Sequence, residues 1–311
     1  MRIIRSPKIL QREMERLRRL GKGIGFVPTM GALHEGHLSL VRAARRESNL
    51  VVVSIFVNPA QFGPKEDFRK YPRTFANDCR LLRKEKVSYL FYPSVQAVYP
   101  KFPLTPSLSP LGRGKGEGGV YVEVDSALSN VLCGRFRPGH FRGVATVVAK
   151  LFNLVRPRRA YFGAKDYQQS IVIRRIVSDL NWDIQIRVLP TVREPGGLAM
   201  SSRNRYLSSD ERRRARAISG TLFWLRNAIL YARRELPSLK REARRSLVAQ
   251  VDQIQYLEIV DPETLQSLKK GQPQMVAATA CFVGKTRLID NVIIKPSKIF
   301  SRAHLKVTCC Q

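Results

Sequence analysis

The 311-residue chain is short of histidine, of acid and of cysteine, and each shortage narrows what it can be. Its five cysteines, Cys79, Cys133, Cys281, Cys309 and Cys310, are odd in number and form no C-x-x-C pair. They read as free thiols in a reducing cytoplasm rather than as a disulfide framework. No apolar run approaches the roughly 20 residues that span a bilayer. The opening stretch, MRIIRSPKILQREMERLRRLGKG, lacks the apolar core and small-residue cleavage site of a signal peptide and carries Glu13 and Glu15 among its bases. An amphipathic helix is expected there. Acids number 24 against 55 Lys plus Arg, a net charge of +31, so nucleic-acid binding has to be weighed. The excess is scattered through RLRRL, RAARR, ERRRARA, ARREL and KREARR, with no RNP motif and no C₂H₂ spacing. This pattern favours a solvated arginine-rich surface over a dedicated nucleic-acid site, and a non-specific attraction to polyanions follows either way. A hydrophobic content of 44% with 8% aromatics is ordinary for a soluble globular enzyme.

Of only four histidines, His34 and His37 stand three apart within PTMGALHEGHLSL. The preceding GIGFV is a short β-forming run, the Pro28–Gly31 stretch reads as a turn, and HLSLVRAARRES has helical spacing. The pair therefore falls where a helix starts, and three readings compete. A zinc pair on a helix usually has i, i+4 spacing and a third ligand. Two capping or surface histidines would have no task. Two imidazoles beside a helix N-terminus could instead stabilise charge developing on an α-phosphate.

The next apolar run, LVVVSIFV (50–57), is nearly continuous in β-branched residues, as in a parallel strand covered on both faces. A helix from Phe75 to Lys86, strands at 87–93, 120–124, 160–162 and within DIQIRVLP, and helices in GHFRGVATVVAKLFNLV and after GAKDYQQ complete an alternating pattern. That pattern predicts an α/β fold with a doubly wound, Rossmann-like parallel sheet over residues 1–190. Lys101–Gly119, dense in Pro, Gly and Ser, reads as a flexible surface insertion. Residues 191–295 form a smaller C-terminal α+β domain, a candidate lid. Its long helix begins at SSDE and its strands lie in IQYLEIVD, MVAATACFV and TRLIDNVII; residues 296–311 form a tail.

Set side by side, PTMGALHEGH, VSIFVNPAQF, YPRT, RPGHFRGV, FGAKDYQQ and PTVREPGGLAMSSRNRYL make an ordered set that resembles the pantothenate synthetase (pantoate–β-alanine ligase) family, within the HIGH-type nucleotidyltransferases. The resemblance implies ATP-dependent condensation of pantoate with β-alanine through a pantoyl-adenylate. It implies ATP contacts at Met30, Gly31, Ala32, Leu33, His34, Glu35, Gly36 and His37, at Gly163, Ala164, Lys165 and Asp166, at Val192, and at Met200, Ser201, Ser202 and Arg203. His37 would be the proton donor or charge stabiliser, helped by His34 and Lys165. Gln61 would contact both pantoate and β-alanine, Gln169 would contact pantoate, and Asp78 is the candidate Mg²⁺ contact. His140 reads as structural or as a neighbour of the pantoate pocket. A cytoplasmic homodimer is also implied. The rival readings are another HIGH-type nucleotidyltransferase and a basic nucleic-acid-binding protein on a degenerate enzyme scaffold.

Overall fold

The computed structural model describes residues 1–64, 66–100, 120–232 and 234–295. The expected insertion at 101–119 and the tail at 296–311 lie outside the described residues. The chain divides into two compact units, one of Met1–Arg193 with Met200–Arg203, the other of Glu194–Ala199 with the chain from Asn204 onward.

In the first unit six strands, β1 (Arg2–Ile4), β2 (Ile24–Thr29), β3 (Leu50–Ile55), β4 (Tyr89–Phe91), β5 (Arg159–Gly163) and β6 (Gln185–Leu189), form one sheet in the order β1-β4-β3-β2-β5-β6. Every pairing is parallel. The helices are α1 (Pro7–Arg19), α2 (Glu35–Glu47), α3 (Phe75–Lys84), the short α4 (Val95–Val98), α5 (Ser126–Ser129) and α6 (Leu132–Phe136), then α7 (His140–Val155) and α8 (Tyr167–Asp179). Successive side chains of a strand point to opposite faces, and here both faces are covered. Ile24, Phe26 and Val52 pack with Leu10 and Met14 of α1, Val144, Val148 and Phe152 of α7 and Ile173 of α8. Val27, Val51 and Val53 pack with Leu40 and Val41 of α2 and Leu82 of α3. Burial on both sides is why the central strands read as unbroken β-branched runs, and the doubly wound sheet expected from the sequence is present.

Two local expectations are corrected. The N-terminus is not a helix throughout: Arg2–Ile4 is an edge strand paired with Tyr89–Phe91. The helix begins only after Ser6, whose hydroxyl accepts the Ile9 N–H at 3.4 Å, with Pro7 in its first turn. Residues 120–124 carry strand alternation but form no strand; Val120 is 93% exposed and Val122 N–H donates to the Thr146 hydroxyl at 3.0 Å. Alternation alone makes no strand without a neighbour to pair with.

The second unit holds α9 (Ser209–Tyr231), α10 (Leu236–Val248) and an antiparallel sheet of β7 (Gln253–Val260), β8 (Met275–Val283) and β9 (Thr286–Ile294) in sequential order. A capping box starts α9: Ser208 Oγ accepts the Glu211 N–H at 3.2 Å, and Glu211 accepts the Ser208 N–H at 2.8 Å. Leu222, Leu225, Leu239, Leu257, Ala277 and Val292 share its core. No helix among the described residues is long and apolar enough to cross a membrane.

Candidate active site

From β2 the chain winds outward through β3 and β4, while β5 and β6 lie on the other side of β2. The β2/β5 boundary is thus a topological switch point, the place where open α/β sheets hold ligands beyond the carboxyl ends of their strands. A cleft lies there within the first unit. Pro28, Thr29 and Met30 line it at the carboxyl end of β2, Phe162, Gly163, Lys165 and Asp166 at that of β5, and Pro190, Thr191 and Val192 after β6.

The loop from Gly31 to His34 is shaped by a buried carboxylate. Asp78, 1% exposed, accepts the Ala32 N–H at 3.0 Å, the Leu33 N–H at 2.9 Å and the Thr74 hydroxyl at 3.0 Å. A side chain at Gly31 (φ +83°) would meet Ile55 at 2.9 Å and this carboxylate at 3.1 Å, so the turn needs glycine twice over. Asp78 does not line the cleft. Both its oxygens are engaged by the loop, which does not fit the metal contact that the sequence resemblance suggests for it.

His34 caps α2 with extended backbone, and His37 lies one turn on, its ring 4.1 Å from that of His34 between centroids. The His34 backbone N–H donates to His37 Nδ1 at 3.4 Å. A backbone amide can only donate, so Nδ1 is the acceptor and the neutral ring carries its proton on Nε2. Burial, then the neighbouring His34 and Lys165, push the His37 pKa well below the usual histidine value. The site thus keeps a neutral imidazole with one donor N–H at a helix N-terminus. Gly36 allows this crowding, since a side chain there would meet the His34 ring at 2.9 Å.

Opposite the histidines, Gln61 is gripped from several sides. Asn58, 1% exposed, donates to Gln61 Oε1 at 3.1 Å and to the Gly143 carbonyl at 3.0 Å, and its Oδ1 accepts from Ala60 N–H at 3.3 Å and from the Tyr99 hydroxyl at 3.0 Å. This saturated amide can be oriented in only one way, which leaves Gln61 Nε2 directed at Met30 Sδ, 3.1 Å away. The Gln61 carbonyl accepts from His140 Nδ1 at 2.8 Å and Arg137 at 3.3 Å. Because arginine only donates, its 2.9 Å contact with His140 Nε2 sets the same Nδ1–H tautomer.

The MSSR stretch closes the ring of residues. Met200 N–H bonds to the Val192 carbonyl at 3.0 Å, and Ser202 Oγ donates to the Ala32 carbonyl at 3.1 Å. Arg203 makes a double hydrogen bond to Asp67 and lies over the Tyr71 ring. Burial is the largest single influence and works against its charge, but the Asp67 hydrogen bonds together with the charges of Asp67, Tyr71 and Glu66 outweigh it and raise its pKa above the ordinary arginine value.

Met30, His34, Gly36, His37, Gly163, Lys165, Asp166, Val192 and Met200–Arg203 therefore meet in one cleft with Gln61 and Gln169. Gly31, Ala32, Leu33 and Ala164 do not line it and are buried behind it; Glu35 is exposed and ion-paired to Arg42. Sequence reasoning singled out neither Tyr71 nor Arg137 as site residues, although both line the cleft. Their only signal was membership of YPRT and RPGHFRGV. Asp67, in an irregular loop, gave none. Among the described residues no group of three or more His, Cys, Asp or Glu could hold a metal ion.

A parallel doubly wound sheet, with a helix N-terminus, imidazoles and a lysine gathered at its switch point, defines a nucleotide-binding α/β enzyme. Residues 2–293 match the Pantoate-beta-alanine ligase family, and the chain belongs to that family. The pantothenate synthetase of Thermotoga neapolitana is 51% identical over 296 residues, covering 94% of this chain and 100% of that protein. Among solved structures, pantothenate synthetase from Thermus thermophilus has a TM-score of 0.85 at 42% identity, covering 95% of this chain and 100% of its own. A pantoate-beta-alanine ligase from Francisella tularensis complexed with beta-gamma ATP and beta-alanine gives 0.72 at 34% identity, covering 94% and 97%.

Proposed function

We propose that the switch-point cleft activates pantoate with ATP and then passes the acyl group to β-alanine. In the first step a pantoate carboxylate oxygen attacks the α-phosphorus, the bond to the β-phosphate breaks, and pyrophosphate leaves. In the second, the amine of β-alanine attacks the acyl carbon, the bond to the AMP oxygen breaks, and the amine gives up a proton. The attacking groups belong to the substrates, so the protein's task is alignment and charge stabilisation. Membership of the pantoate-beta-alanine ligase family supports this reading.

The observation that carries the assignment of roles is the neutral, Nε2-protonated His37 set beside Lys165 at the start of α2. In this reading His37 donates a hydrogen bond to the phosphate oxygens where charge builds up, rather than a full proton. His34 and Lys165 supply further donors, and Ser201, Ser202 and Arg203 reach the β- and γ-phosphates. Backbone from Met30 to Gly36, Gly163–Asp166 and Val192 borders the nucleotide. Gln61 and Gln169 suit a polyhydroxy acid because an amide both donates and accepts. Mg²⁺ enters as part of the nucleotide substrate, screening phosphate charge with mostly water and phosphate ligands. Asp78 is instead the clasp of the nucleotide loop. A homodimer in the cytoplasm belongs to the same reading, on resemblance alone.

The test is AMP and pyrophosphate formation from ATP, Mg²⁺ and pantoate, with and without β-alanine. Pantoate-dependent pyrophosphate release in a single turnover, with AMP release awaiting β-alanine, is expected. AMP transfer to a phosphorylated acceptor, with no response to β-alanine, would sink the proposal.

A further inference from the structure

We infer that Asp67 is a positioning residue for ATP: it holds one edge of the Arg203 guanidinium so that the other edge faces the triphosphate. This rests on the reading of Arg203 as a phosphate contact. Arg203 Nε donates to Asp67 Oδ2 at 2.9 Å and Nη2 donates to Oδ1 at 2.7 Å, a fork-to-fork pair. A guanidinium has five N–H groups. The pair occupies those of a single edge and leaves both on Nη1, and the second on Nη2, directed elsewhere. Tyr71 lies beneath, 5.6 Å from the guanidinium carbon to the ring centroid, a second restraint on the same group. Arg203 itself lines the cleft, whereas Asp67 does not. The two side chains are 26% and 24% exposed, so the pair is shielded rather than a loose surface contact.

The adjacent acid repeats the device. Glu66 grips Arg137, another cleft residue, through Nε at 2.7 Å and Nη2 at 2.6 Å. Consecutive carboxylates of one irregular loop thus each immobilise an arginine that looks into the same cleft. A long, flexible cation that is held in advance loses less freedom when its anion arrives, and a fork matched to phosphate gains most from being aimed.

Steady-state kinetics on Asp67→Asn, Arg203→Ala and the double variant decide the matter. Arg203→Ala should raise KM for ATP; no change there would remove Arg203 from phosphate binding and the inference with it. Asp67→Asn should raise KM for ATP by about tenfold, equivalent to about 1.4 kcal/mol, with KM for pantoate unmoved. In the Arg203→Ala background the same change should add almost nothing. A lower KM for ATP in Asp67→Asn would make Asp67 a competitor of phosphate and overturn the inference alone. An equal rise with and without Arg203 would do the same. Asp67→Glu, which keeps the charge but displaces it by one methylene, should give an intermediate KM at an unchanged melting temperature, which separates positioning from loss of fold.

Discussion

At His37 the surroundings set the chemistry, since burial first, and then the neighbouring His34 and Lys165, keep the ring neutral while Nδ1 accepts the His34 N–H. Replacing it with alanine should lower turnover by about 10²–10³-fold, the range for losing one aimed donor, while the chain still folds. The ring should titrate by NMR well below the ordinary value of about 6.5. In the unfolded chain it takes up a proton that the native ring refuses, so its contribution to stability is complete above about 6.5 and is lost as pH falls from there towards the folded pKa. Denaturant midpoints measured down that range should therefore fall less steeply for His37→Gln than for the parent chain. Asp78 offers a second test. An amide in place of this carboxylate could accept on one oxygen only and would point its own donor at a backbone N–H, so Asp78→Asn should cost about 1–3 kcal/mol in chemical denaturation. The Mg²⁺ dependence of KM for ATP should be unchanged; a selective shift in it would restore Asp78 as a metal contact.

The elements that build the cleft depend on close approaches that a sequence barely signals. Gly143 lets α7 press on the Pro59–Gln61 turn: a side chain there would come within 2.2 Å of the Ala60 carbonyl. Gly143→Ala should displace Gln61, raise KM for pantoate more than KM for ATP, and destabilise the fold by about 1–3 kcal/mol. Gly220→Ala, in α9 and away from the cleft, meets nothing within 4 Å and is the control that should leave both near normal. The central strands and α2, α7 and α9 were legible because burial imposes periodicity on Val51–Val53, on Val144 and Val148, and on the Ser208–Glu211 cap. Arg2–Ile4 was not, because three residues are too few for a pattern and Pro7 invites a helix directly behind them. Residues 120–124 misled because their alternation has no partner strand. Within the cleft, residues on strand ends and helix starts stood out, whereas Asp67 and Tyr71 acquire meaning only from the loop that brings them to Arg203.

For the molecule as a whole, the net charge of +31 sits in arginines that largely face solvent, many of them ion-paired locally, as Arg16 is to Glu13 and Arg18 to Glu15. Such exposed pairs add little stability each. The excess of positive charge should instead appear as weak binding to any RNA or DNA at low ionic strength, fading as salt rises. Fluorescence anisotropy with unrelated oligonucleotides should give one common affinity; a strong preference for one sequence at physiological salt would contradict this. The saturated Asn58 amide has a separate consequence for longevity. Asparagine ages by deamidation when the next residue's backbone nitrogen attacks its side chain, and here that residue is Pro59, whose nitrogen carries no hydrogen. The buried anchor of the Gln61 turn is thereby spared the commonest chemical wear of its residue type, and stored protein should lose activity by other routes first.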